Sequence, residues 1–185
     1  MQELGPKRLE ILKEMLPRAT RFLRLYQASS IVALQSSIIS EDDSAARKLG
    51  VLLQHVLVSD MKGIKSALAD AARAGTDAVI LASAGLFVGN RVEIPTLALG
   101  HQLPLICTDA RFTDAGALIS YGENYVLRHR RAASSVYKIL RDMKPAEIPV
   151  EQTSIFELVI NLKTARALGT IIPDSILLQA DRIIK

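Results

Sequence analysis

The amino-acid sequence predicts an α/β fold, a three-layer doubly wound parallel sheet spanning residues 1 to about 116. Short apolar runs recur at Val51–Val58 and Ala78–Ala82, both of buried-strand type, and at Leu105–Cys107. Segments with helical spacing separate them, and glycines close those segments. Strands alternating with helices at this interval imply parallel pairing through crossover helices.

The first helix starts after Gly5-Pro6, since proline suits a first turn. Leu9, Leu12 and Leu16 keep its apolar face until Pro17 stops it. Arg21–Tyr26 reads as a strand, with Arg24 a charge that needs a partner in a central position. Ser30–Leu49 reads as a helix ended by Gly50. Ser59 is the expected cap of a helix over Asp60–Ala74, with Gly75 beyond it. A helix of about Asn90–Gln102 should start late, because Pro95 belongs in a first turn. The last third changes character. Ala117–Tyr121 reads as a strand and Tyr125–Met143 as an amphipathic helix, with Ala132, Val136, Ile139 and Met143 on one face. Pro145 and Pro149 bracket an extended link. Phe156–Ile160 reads as a strand, and Asn161 should cap a helix over Leu162–Leu168 closed by Gly169. Pro173 opens a final helix with Ile176, Leu177, Ala180, Ile183 and Ile184 turned inward.

The 185 residues suffice for one domain with a core, and are too few for two full α/β domains. A net charge of +4 reads as a solvated basic surface, so no nucleic-acid partner is expected. The run Arg128-His129-Arg130-Arg131 is the polar side of its helix. No stretch approaches the roughly 18 apolar residues of a membrane span. Met1–Pro6 lacks a basic region followed by an apolar one, so no signal peptide is expected.

Cofactors and metals are not expected. His55, His101 and His129 share no ligand spacing with one another or with Cys107, which reads as a buried strand residue. The stretch Ser83–Gly89 lacks the pattern of a phosphate loop, and no Gly-x-Ser-x-Gly elbow occurs. Glu41-Asp42-Asp43 reads as a solvent-facing acidic cluster, with Ser40 and Asp43 a capping pair.

In open parallel sheets ligands bind beyond the carboxyl ends of the strands. Those ends carry Gln27-Ala28-Ser29-Ser30, Ser59-Asp60, Ala82-Ser83 and Thr108-Asp109-Ala110-Arg111. Gln27, Ser29, Ser83, Thr108 and Asp109 are therefore the candidate ligand-binding residues, suited to a small polar solute. Asp109 has two readings: its carboxylate pairs with a ligand ammonium, or it caps the loop leading to Gly116.

Two segments carry a family resemblance. Asp109-Ala110-Arg111-Phe112-Thr113-Asp114-Ala115-Gly116-Ala117-Leu118-Ile119-Ser120-Tyr121-Gly122 resembles the Ala-Gly-Gly/Ala-Leu-x-Ser-Tyr-Gly segment of ABC-transporter substrate-binding proteins of the tryptophan/tyrosine type. Phe156–Gly169, followed by Ile172-Pro173, resembles that family's C-terminal signature. The opening Gly5–Glu10 and the series Arg131-Ala132-Ala133, Lys138-Ile139-Leu140 and Pro149–Gln152 match in order.

The resemblance implies one lobe of a type I periplasmic-binding-protein fold and a non-enzymatic role. The chain would bind an amino-acid-like solute between two lobes and deliver it to an ABC permease. It further implies that residues 1–116 form the second lobe. Residues 117–148 would cross to a first lobe, and 149–185 would return. The family's first lobe has no counterpart in the sequence, so a truncated or relaxed copy, or a deliberately shortened chain, is expected. The family location is periplasmic; without a signal peptide the chain itself would be cytoplasmic. The alternative is a stand-alone interaction module that homodimerises through the faces a missing lobe uncovers.

Overall fold

A computed structural model of the chain describes residues 4–30, 35–148 and 156–185. Helix α1 (Leu4–Met15) precedes strand β1 (Arg21–Gln27). Then come α2 (Gln35–Lys48), β2 (Leu52–Val58), α3 (Met61–Arg73) and β3 (Ala78–Leu81). Two short helices, α4 (Gly85–Gly89) and α5 (Glu93–Gly100), lead to β4 (Leu105–Cys107). Helix α6 (Ala110–Asp114) leads to β5 (Ile119–Glu123), and α7 (Tyr125–Leu140) follows. The chain closes with β6 (Phe156–Asn161), α8 (Leu162–Ala167), α9 (Asp174–Gln179) and β7 (Arg182–Ile184).

One seven-stranded sheet holds the strands in the order β2-β1-β3-β4-β5-β6-β7. Pairing is parallel from β2 through β5, β6 runs antiparallel to β5, and β7 is parallel to β6. Alternation along each strand sends side chains to two separate cores. Phe22, Ile80, Ile106 and Ile119 meet α1, α2, α8 and α9 on one face through Leu9, Leu12, Ala46, Ala165 and Ile176. Leu23, Leu25, Val79, Leu81 and Leu105 meet α3, α4, α5 and α6 on the other through Ile64, Leu68, Phe87, Ile94 and Phe112. Each fully buried side chain of this kind is worth about 1.5–3 kcal/mol of transfer free energy. The three layers predicted from the alternation are those observed.

Local signals position most elements. Asp60, rather than Ser59, caps α3 by accepting the Gly63 N–H at 2.8 Å. Pro95 sits in the first turn of α5, which begins late at Glu93. Asn161 caps α8 through the Thr164 N–H at 3.1 Å. Part of the predicted Ser30–Leu49 helix, and the link around Pro149, lie outside the described residues.

Four expectations change. Strand β2 is an edge strand rather than a fully buried one, and Leu52 and Leu57 are exposed on it. Asp42 is buried instead of solvent-facing, and Ser40 lies inside α2 and caps nothing. Ile183 and Ile184 belong to β7, not to the last helix. Asp181 turns the chain there, accepting the Leu158 N–H at 2.8 Å and donating its own N–H to the Leu158 carbonyl at 2.9 Å. Finally, the strand expected to leave for another lobe stays: β5 lies between β4 and β6 in the sheet.

The chain instead leaves the sheet at Glu123 and re-enters it directly opposite, at Phe156. Helix α7 begins this excursion and contributes no buried residue. Its apolar arc is bare, with Val126, Val136, Tyr137, Ile139 and Leu140 all exposed, Leu140 at 77%.

Glycine is required at position 122. A Cβ there would overlap the backbone carbonyl of Thr108, and backbone on both sides leaves no room to yield. Gly122→Ala should therefore cost about 3 kcal/mol. The expected outcome is a lower urea midpoint at unchanged slope, read by equilibrium unfolding.

Candidate functional site

Strands β1, β3, β4 and β5 run parallel, so their carboxyl ends form one edge of the sheet. All five candidate residues fall on that edge, and the structure divides them. Gln27 Oε1 accepts the Leu86 N–H at 2.9 Å, and its Nε2 donates to Ser29 Oγ at 2.7 Å. The pair ties the end of β1 to α4. Ser83 is exposed in the turn between β3 and α4. Thr108 is half-buried, and its carbonyl faces Gly122.

Asp109 is the N-cap of α6, accepting the Arg111 N–H at 2.9 Å. The same carboxylate takes the Arg111 side chain: Nε lies 3.1 and 2.9 Å from its two oxygens, and Nη2 lies 2.5 Å from Oδ2. The structure shows Asp109 in the capping role. Hydrogen bonding to Asp109 holds the Arg111 guanidinium above its ordinary pKa.

Residues outside the candidate set complete the edge. The Arg111 guanidinium carbon stands 4.9 Å from the centre of the Tyr125 ring, and that of Arg128 stands 4.4 Å from the same ring. Arg128 Nη1 donates to Glu123 Oε2 at 3.2 Å. Asn124 caps α7 through the Leu127 N–H and donates to Glu157 Oε2 at 2.8 Å. Arg111 had a local signal, two residues past a strand-end aspartate. Tyr125 and Arg128 reach the edge only because β5 pairs beside β4, which no local pattern announces.

Beneath the β1 end lies a buried polar cluster. Arg24 on β1 forms an ion pair with Asp42 on α2, both nearly without solvent contact. Tyr26 donates its hydroxyl to Asp42 Oδ2 at 3.2 Å, and its ring lies 5.3 Å from the Arg24 guanidinium. Burial, and then the neighbouring carboxylate, push the Tyr26 hydroxyl pKa up against the pull of Arg24. Arg8 on α1 donates Nε to the Tyr121 carbonyl at 2.8 Å. Burial first, and then Arg24, lower its pKa to about 10, which leaves it charged at neutral pH. Arg24 thus has the partner its position demands. Asp43, next to Asp42, instead meets His55 Nε2 at 2.8 Å. Cys107 is fully buried, and burial raises its thiol pKa, as a core residue rather than a nucleophile would have it.

Among the described residues no group of three or more His, Cys, Asp or Glu side chains gathers, and no helix is long and apolar enough to cross a membrane.

Comparison with known proteins gives a family match. The model of the ABC transporter substrate binding protein family matches residues 2–184. No curated protein matches in sequence. Among solved structures, a conserved domain protein from Vibrio cholerae superposes with a TM-score of 0.82 at 22% identity. An ABC domain from Streptococcus pneumoniae in complex with L-Trp superposes at 0.83 and 22%. Both alignments cover 97% of this chain and 60% of the other, so the chain spans about three fifths of their length. A ligand-free, open substrate-binding protein with adhesive properties from Clostridium difficile gives 0.67 at 19%, covering 96% of this chain and 58% of that one.

Breaking the Arg24–Asp42 pair strands a buried charge. Arg24→Met and Asp42→Leu should each cost about 3–5 kcal/mol, and the double change Arg24→Met, Asp42→Leu should recover most of the loss. Equilibrium unfolding of the three variants checks this, and additive losses would contradict the coupling.

Proposed function

The chain belongs to the ABC transporter substrate-binding protein family, and on that premise we propose that it forms one wall of a solute-binding cleft whose other wall is a first lobe. The solute is small, polar and amino-acid-like, and it is delivered to an ABC permease in the family's extracytoplasmic setting. Gln27, Ser29, Ser83, Thr108 and Asp109 stand on this wall, as contacts or as supports for them.

One observation carries the reading: the excursion from Glu123 to Phe156 departs from and returns to the same sheet edge that holds the polar rim. An apolar helix face rooted at that edge suits a second body placed over the rim. The segment that crosses to it then begins after Glu123 rather than at residue 117. The L-Trp bound by the pneumococcal relative supports an amino-acid-like solute. The family is one of binding proteins, and the rim's most buried acid, Asp109, is committed to Arg111 rather than to a nucleophile or base.

The bare arc of α7 also favours a second reading, a module that dimerises through this helix. Sedimentation separates the two: a strict monomer at high concentration counts against the module.

A single wall binds weakly, because a cleft buries most of a ligand's surface only when both sides are present. Calorimetric titration of the chain with L-amino acids should give no saturable heat in the micromolar range. A version extended by a first lobe should gain about 3 kcal/mol of stability at a hundredfold ligand excess over Kd. Micromolar binding by the chain alone would contradict the two-wall reading.

A further inference from the structure

Two ion pairs at the rim share one orientation. In the Asp109–Arg111 pair the acid side chain is 4% exposed and the arginine 46%; in the Glu123–Arg128 pair the values are 18% and 46%. In each pair the acid is the more buried partner, and both guanidiniums stand against the ring of Tyr125. The cluster is neutral in sum, yet the more exposed member of each pair is the arginine.

We propose that Arg111 takes the carboxylate of the solute, and that Asp109 is the positioning residue that presents Arg111 rather than a contact for a ligand ammonium. The proposal rests on the rim being a solute-binding wall, and it names the chemistry that wall selects: small molecules bearing a carboxylate.

The geometry of Asp109 excludes the simpler alternative. Both of its oxygens are engaged by Arg111, through backbone N–H, Nε and Nη2. An incoming ammonium would have to displace a multiply bonded guanidinium from a nearly buried acid, which costs more than a single exposed contact returns. Arg111 offers the opposite case. Nε and Nη2 are spent on Asp109, while Nη1 carries no hydrogen bond among the described residues. The Tyr125 ring at 4.9 Å fixes the guanidinium plane from a second direction. A cation held this way loses little freedom when it meets an anion, and its planar donors suit a carboxylate. Arg128, on the same ring, adds positive potential beside it.

The test is an NMR titration of the intact chain with acetate, glycine, glycinamide and glucose, following backbone amides and the arginine Nε–H signals. Acetate and glycine should shift the Arg111 Nε–H and the amides of 109–111 and 125–128; glycinamide and glucose should not. Arg111→Gln should weaken the acetate response by about tenfold or more. Asp109→Asn should move the Arg111 Nε–H signal before any ligand is added and weaken acetate by less. If Arg111→Gln does not fold, Arg111→Lys, which keeps the charge without the fork, should show the same weakening. Equal shifts from glycinamide, or an acetate response unchanged in the Arg111 variant, would overturn the assignment. Shifts confined to Gln27, Ser29 or Ser83 would overturn it and leave the solute-binding reading intact. No shift with any solute would overturn the assignment while leaving the two-wall reading, which expects weak binding by one wall, in place.

Discussion

The upper edge of the sheet depends on how closely β4 and β5 approach. At Gly122 the backbone of β5 passes against the Thr108 carbonyl at a distance no side chain tolerates. That contact keeps β5 inside the sheet, with β4 on one side and β6 on the other. It also brings the root of α7 beside the start of α6. Asp109, Arg111, Tyr125 and Arg128 meet because these two backbones touch. A side chain at position 122 would separate the groups as well as the strands.

The same edge is braced from below. Arg24 in a central strand would be costly alone. Asp42, Tyr26 and the burial of α1 and α2 over β1 make it a fixed part of the lobe. Arg8 then links the second turn of α1 to the Tyr121 carbonyl, one residue before Gly122. The backbone at the strand ends is thus braced from the face that α1 and α2 cover.

What was legible in the sequence follows from the range of the forces involved. Caps and periodicity act over three or four residues, so Asn161, Pro95 and the alternation of strands and helices declared themselves. Parallel strand ends put Gln27, Ser29, Ser83, Thr108 and Asp109 on one edge of the sheet. Interactions between distant segments were silent. Nothing near Asp42 marks it as the partner of Arg24. Nothing near Ile183 marks it as a strand beside β6. Asp109 reads as a charge at a strand end, and its occupation by Arg111 depends on the α6 turn that follows. Helix α7 is the opposite case: its amphipathic pattern was plain in the sequence, and in the structure that pattern faces solvent.

The central claim is that the chain leaves the sheet at Glu123 and that α7 is an arm rooted at the rim rather than a part of the packed core. Amide hydrogen exchange on the chain at low concentration tests this directly. The account predicts that amides of β5, Ile119–Glu123, exchange only with global unfolding, while those of α7, Tyr125–Leu140, exchange through local opening orders of magnitude faster. Equal protection of α7 and β5, or fast exchange in β5, would contradict it.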